Sequence, residues 1–179
     1  MFRHLFERSR GRRAAESLYS GAVAQARLAD FYGESGVPDT VDGRFDMIVL
    51  HVFLVLHRLK DGDGRAADTA QALFDAMFAD MDRGLREMGA GDLGVGRRVK
   101  LMAKAFYGRV AAYERGLAEG REALAAAVLR NIFRGDPAKG AAASRLATYM
   151  YSQVTALERQ PRGALLAGRV VFAEPVSVE

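Results

Sequence analysis

The sequence predicts an all-α fold, a single-domain bundle of roughly six helices with an extended C-terminal tail. Three observations carry that prediction. Apolar residues recur every three or four positions through long stretches, as one face of a helix requires. Glycine, proline and aspartate punctuate those stretches at KDGDG (60–64), GAGDLGVG (89–96) and GDP (135–137). The β-branched segments have no partner strands nearby. The chain divides into a basic N-terminal arm over 1–13, a helical domain over 14–160 and an extended tail over 161–179.

The arm, MFRHLFERSRGRR, sets Phe2, Leu5 and Phe6 against five arginines, a pattern that suits a frayed terminus or contact with a membrane surface. A first helix is expected over Ala14 to Tyr32, with a stripe of Leu18, Ala22, Ala26 and Ala29 that admits close helix approach and a stop at Gly33. The loop ESGVPDTVDG follows. Pro38 keeps Val37 out of helical geometry, and Asp39 and Asp42 can bond local backbone groups. Together with Gly43 and Arg44, these residues fit either a turn and cap or a binding loop. Phe45 to Leu59 is apolar on nearly every side, which marks a central helix buried all round. Its core run, Met47 to Leu56, is too short to span a bilayer.

Leu73 to Arg109 reads as two helices joined by a glycine hinge. Phe74, Met77, Phe78, Met81, Leu85 and Met88 form the apolar stripe of the first, with Asp75, Asp80, Asp82, Arg83, Arg86 and Glu87 on its other faces. Gly89 suits the left-handed residue that ends a helix, and Asp92 suits the cap of the next. Val95, Val99, Met102, Phe106, Val110, Tyr113 and Leu117 continue the apolar stripe, while Arg97, Arg98, Lys100 and Lys104 make the exposed side basic. Met77, Met81 and Met88 read as core or as an adaptable client surface. Two more helices are expected, Arg121 to Phe133 and Ala141 to Arg159, before a β-branched tail that lies on the helical body.

Composition narrows the chemistry. The absence of cysteine excludes disulfides, thiolate metal sites and cysteine nucleophiles. His51 and His57 stand six apart, on different helix faces, and His51 reads as a hydrogen-bonded core residue. The glycines at 89, 91, 94 and 96 join helix to helix, the wrong context for a phosphate cradle. Asp75, Asp80 and Asp82 are the sharpest enzyme candidate, as ligands for magnesium-diphosphate in a helical prenyl-transferring enzyme. The five-residue gap between Asp75 and Asp80, and the lack of a second acidic helix, weigh against it. A net charge of +4 allows a third reading, a basic ribosome- or RNA-binding module working through Arg97, Arg98, Lys100 and Lys104.

The stretches VPDTVDGRFDMIVLHVFLVLHRL and LFDAMFADMDRGLREMGAGDLGVGRRVKLMAKAFYGR, preceded by LYSGAVAQARLADFY, resemble the ubiquinol–cytochrome c chaperone family. The resemblance is to a bacterial member of a family also found in mitochondria, and it covers approximately Leu18 to Leu117. It implies an all-helical, non-enzymatic assembly factor without a cofactor, which binds newly made cytochrome b and promotes assembly of the cytochrome bc complex. It also implies a small helper protein and a position near the ribosomal exit tunnel. The motif-matched residues, which the resemblance implies meet a protein partner, are Pro38, Asp39, Asp42, Gly43, Arg44, Asp80, Asp82, Arg86, Glu87, Gly91, Asp92, Gly94 and Gly96. With no secretory signal, the expected location is the cytoplasm or the inner face of the cytoplasmic membrane, with the N-terminal arm as the membrane contact.

Overall fold

The computed structural model describes residues 2–33, 36–87 and 92–175, with side chains described for 10–33, 36–87 and 94–175. Seven α-helices run through those residues: α1 (Phe2–Ala26), α2 (Val41–Leu59), α3 (Gly64–Glu87), α4 (Asp92–Glu119), α5 (Arg121–Ile132), α6 (Gly140–Glu158) and the short α7 (Arg162–Leu166). No strand occurs among the described residues, so the fold is all-α. No helix among them is long and apolar enough to cross a membrane.

The organising element is α2. Residues 46–55 are all buried, and α2 touches α1, α3, α4, α5 and α6. Thr40 starts it, its hydroxyl accepting the Gly43 amide at 3.1 Å. Around α2, α1 packs on α3, α4 on α5 and α5 on α6. The close approaches follow the small residues. Ala15, Leu18, Ala22 and Ala26 of α1 are fully buried, and a Cβ on Gly116 of α4 would lie 2.7 Å from the Leu124 backbone of α5.

Helix boundaries differ from expectation at both ends of the first helix, at the start of the central one and in the tail. The central helix begins at Val41 rather than Phe45, so Asp42, Gly43 and Arg44 form its first turn instead of a loop and its exit. The first helix ends at Ala26 rather than Tyr32. Leu28 turns to extended geometry (ψ 133°), a 3₁₀ turn over Ala29–Phe31 follows, and Ala29 is exposed instead of lining the stripe. Its other end reaches back to Phe2, so residues 2–13 are helical backbone continuous with α1. In the tail, Pro161 opens the five residues of α7 before the chain runs extended.

Met77 is fully buried and Met81 packs against the core, so these two belong to the interior rather than to an open surface. Met88 and Gly89 lie outside the described residues.

Candidate protein-docking surface

The motif-matched loop is built to hold its own shape. The Val37 amide donates to the Phe31 carbonyl at 2.8 Å, and the Thr40 amide donates to that of Pro38 at 2.8 Å. Gly43 is buried against the same Pro38 carbonyl, where an added Cβ would lie 2.0 Å from the oxygen. Arg44 grips Asp39 with two bonds, 2.6 and 3.1 Å, and its guanidinium sits 5.6 Å from the Tyr32 ring centre. The Arg44 bonds hold the Asp39 carboxyl below the usual carboxylate range. Turn and cap therefore account for Thr40 and Gly43. Pro38, Asp39, Asp42 and Arg44 stand exposed, and Val41 beside them is 72% exposed.

The hairpin of α3 and α4 supplies the second group. An aromatic cluster joins its two helices: Phe74 meets Phe78, the buried Phe106 and the exposed Tyr107 with ring centres 4.5–5.5 Å apart. Asp80 reaches across to α1 and accepts the Tyr19 hydroxyl at 2.8 Å; burial and this carboxylate together push the Tyr19 phenol well above its ordinary value. Asp82 accepts from Arg86 at 2.7 Å within one turn. Asp75 accepts from Gln71 at 2.9 Å. The three aspartates thus turn to three different neighbours, and among the described residues no three histidine, aspartate or glutamate side chains gather as metal ligands. That geometry does not build the magnesium-diphosphate site.

On α4, Gly94, Gly96, Arg97, Arg98, Lys100 and Lys104 are exposed, together with Leu101 and Tyr107. Glu87 closes the exposed end of α3. Gly91 lies outside the described residues, and Asp92 opens α4 with its side chain outside them. The expected site residues therefore fall into two groups, the loop and first turn at the start of α2 and the hairpin of α3 and α4.

Three polar clusters tie α2 to its neighbours; sequence reasoning anticipated the core place of His51 in the third but not its Tyr149 partner, and passed over the other two. Asp46, fully buried in α2, bonds Arg109 of α4 at 2.7 Å and lies 2.9 Å from Arg134. Arg134 sits just past α5 in a left-handed backbone (φ 56°), a conformation that costs a non-glycine residue energy and that the ion pair helps to hold. Burial lifts the Asp46 carboxyl above its ordinary range, against the pull of the two guanidiniums. A lone aspartate inside an otherwise apolar helix was the available signal, because a buried charge needs partners. The second cluster joins α2 to α4. Burial alone would raise Glu114, but bonds from Lys60 (2.7 Å) and with His57 (2.6 Å) hold it below the usual range. The third centres on His51. Its Nδ1 lies 2.8 Å from the Met47 carbonyl, which places the proton there, so Nε2 accepts from the Tyr149 hydroxyl at 2.8 Å. Burial lowers the His51 pKa to about 4, so the ring is neutral at physiological pH.

The family model described as "Ubiquinol-cytochrome C chaperone" matches residues 33–172. The chain belongs to the ubiquinol–cytochrome c chaperone family. Both groups of motif-matched residues lie inside the matched span. Among curated relatives, a Xenopus laevis protein named ubiquinol-cytochrome-c reductase complex assembly factor 1 is 28% identical over 164 residues, 89% of this chain and 80% of its own length. The mouse protein of that name is 27% identical over 67% of this chain, which spans 41% of the mouse protein's length. The crystal structure of the Cbp3 homolog from Brucella abortus superposes with a TM-score of 0.85 at 40% identity, covering 100% of both chains.

Proposed function

We propose that this member of the ubiquinol–cytochrome c chaperone family is a non-enzymatic assembly factor for ubiquinol–cytochrome c reductase, and that its client is newly made cytochrome b. The observation that carries the reading is the family match over residues 33–172, supported by relatives named for assembly of that complex. The geometry is compatible with it. The buried polar groups are tied to one another across helices, while the exposed ones present charge to solvent. Transient binding of an incomplete subunit would keep its apolar segments from aggregating.

The client-facing surface in this reading is the exposed set Pro38, Asp39, Asp42 and Arg44 at the start of α2 with the hairpin set Asp82, Arg86 and Glu87. Arg97, Arg98, Lys100 and Lys104 add a contact for an anionic partner, and ribosomal RNA near the exit tunnel fits that chemistry. A small helper protein, and membrane contact through the N-terminal arm, belong to the same reading. The test is affinity capture of the tagged chain from cells building the bc complex, followed by detection of cytochrome b. Recovery of cytochrome b, reduced when Asp82 and Arg86 are both changed to alanine, is the expected result. Capture that recovers none during bc-complex biogenesis would refute the client assignment.

A further inference from the structure

The extended tail is held in an unusual way. Gln153 of α6 donates to the Ala173 carbonyl at 2.9 Å and accepts the Ala173 amide at 2.9 Å. Gln160, two residues past α6, does the same to Val171, donating at 2.6 Å and accepting at 3.0 Å. Gln25 at the end of α1 adds a bond to the Ala173 carbonyl at 3.0 Å and another to the Tyr149 hydroxyl at 3.1 Å. Residues 171 and 173 are two apart, so on an extended chain they present their backbone groups to the same side. Side-chain amides here play the part that a neighbouring strand plays in a sheet.

Side-chain readout is slight by comparison. Val171 is 70% exposed. Val170 and Phe172 turn inward but are only partly buried. Val170 occupies the space above Gly21, where a Cβ would lie 2.9 Å from its Cγ1. Phe172 meets the His51 ring edge-on, centres 5.3 Å apart. The anchor of the tail lies one step earlier, at Gly168. Its left-handed backbone (φ 81°) packs on Ala14 and Ser17, and the Arg169 amide returns to the Ala164 carbonyl. Beyond that pivot, a few shallow side-chain contacts and the glutamine bonds are what hold residues 170–173.

We infer that the channel between α1 and α6 is a docking site for an extended, uncharged polypeptide segment, filled here by residues 170–173 and taken by a partner's segment in their place. The partner segment carries a branched aliphatic and an aromatic residue at alternate positions, the chemistry that Gly21 and His51 receive. Backbone bonds supply most of the recognition, as in strand addition to a sheet edge, so the site tolerates varied sequence. Exchange rather than simple opening is what the channel allows. Gln153 is fully buried, and an empty channel would strand both ends of its amide without partners. That the segment comes from the client rests on the chaperone reading above; the site itself does not depend on it.

The probe is a fluorescein-labelled synthetic peptide carrying residues 168–175, titrated by anisotropy against the full chain. In the intact chain the tail competes from within at high effective concentration, so the double variant Val170→Asp with Phe172→Asp should bind the peptide roughly tenfold more tightly. A peptide N-methylated at the positions of residues 171 and 173 should fail to bind, and Gln160→Ala on the double-variant background should weaken binding. A peptide with isoleucine and tyrosine at the two inward positions should bind comparably. Equal binding of the N-methylated peptide, or no gain in a double variant that melts cooperatively, would overturn the site. If the double variant does not fold, Val170→Ser alone serves the same titration. Peptide binding requires no client, so this test can fail while the chaperone reading stands. Client capture by the double variant should fall in the presence of saturating peptide; unchanged capture would overturn the partner's use of the channel.

Discussion

The two ends of α4 treat charge in opposite ways. At its C-terminal half, Arg109 is 13% exposed and closes on the fully buried Asp46, and Glu114 is locked between Lys60 and His57. At its N-terminal half, Arg97, Arg98, Lys100 and Lys104 stand in solvent beside the exposed Leu101. On α3, Asp82 and Arg86 pair within a single turn with 39% and 51% of their side chains exposed. Charge of the first kind joins helices and is costly to disturb. Charge of the second kind adds little to folding, which leaves it available for recognition.

The largest effect should come from Asp46→Ala. It leaves Arg109 buried without its carboxylate and should cost about 3–5 kcal/mol, read as a lowered midpoint in urea denaturation. Next comes Phe106→Ala at the aromatic side of the hairpin, expected to cost about 3–5 kcal/mol by the same assay if the α3–α4 seam is as well packed as the body. A much smaller loss would sharpen the contrast by showing the hairpin to be loose on both faces.

His51 gives a pH test. Its folded pKa of about 4 lies below the ordinary 6.5, so between those values the unfolded chain binds the extra proton. Stability from this group is complete above pH 6.5 and is lost as pH falls toward 4, by about 3 kcal/mol. Denaturation of the wild type and His51→Gln across that range should show the extra slope in the wild type alone. At the small end, Asp82→Ala should change stability by no more than about 0.5 kcal/mol. Gly94→Ala and Gly96→Ala meet open space at Cβ and should each stabilise the chain by roughly 1 kcal/mol.

Much of the fold was legible from periodicity. The apolar stripes of α3 and α4, the all-round burial of α2 and the core role of His51 follow from residue spacing and hydropathy. The end of α1 was not legible, because alanines at helical spacing continue to Ala29 while the backbone breaks at Leu28 and the turn after it seats Phe31 against His51 and Tyr149. The Asp46–Arg109–Arg134 cluster spans three segments distant in sequence, and spacing within one helix cannot report that. The glutamine ladder under the tail was hidden for the same reason: Gln25, Gln153 and Gln160 converge only once α1 and α6 both pack on α2. Of the candidate site, exposure of the loop and hairpin charges could be anticipated, whereas Asp80 turning to Tyr19 could not.

The most direct measurement removes the gene and restores it with Asp82, Arg86, Arg97 and Arg98 all changed to alanine. Assembled bc complex and cytochrome b are then assayed in cells, and the melting of the purified variant is compared with that of the intact chain. Unaltered melting with loss of both complex and cytochrome b is the predicted result. Normal complex levels with that variant, or in the deletion itself, would contradict the account.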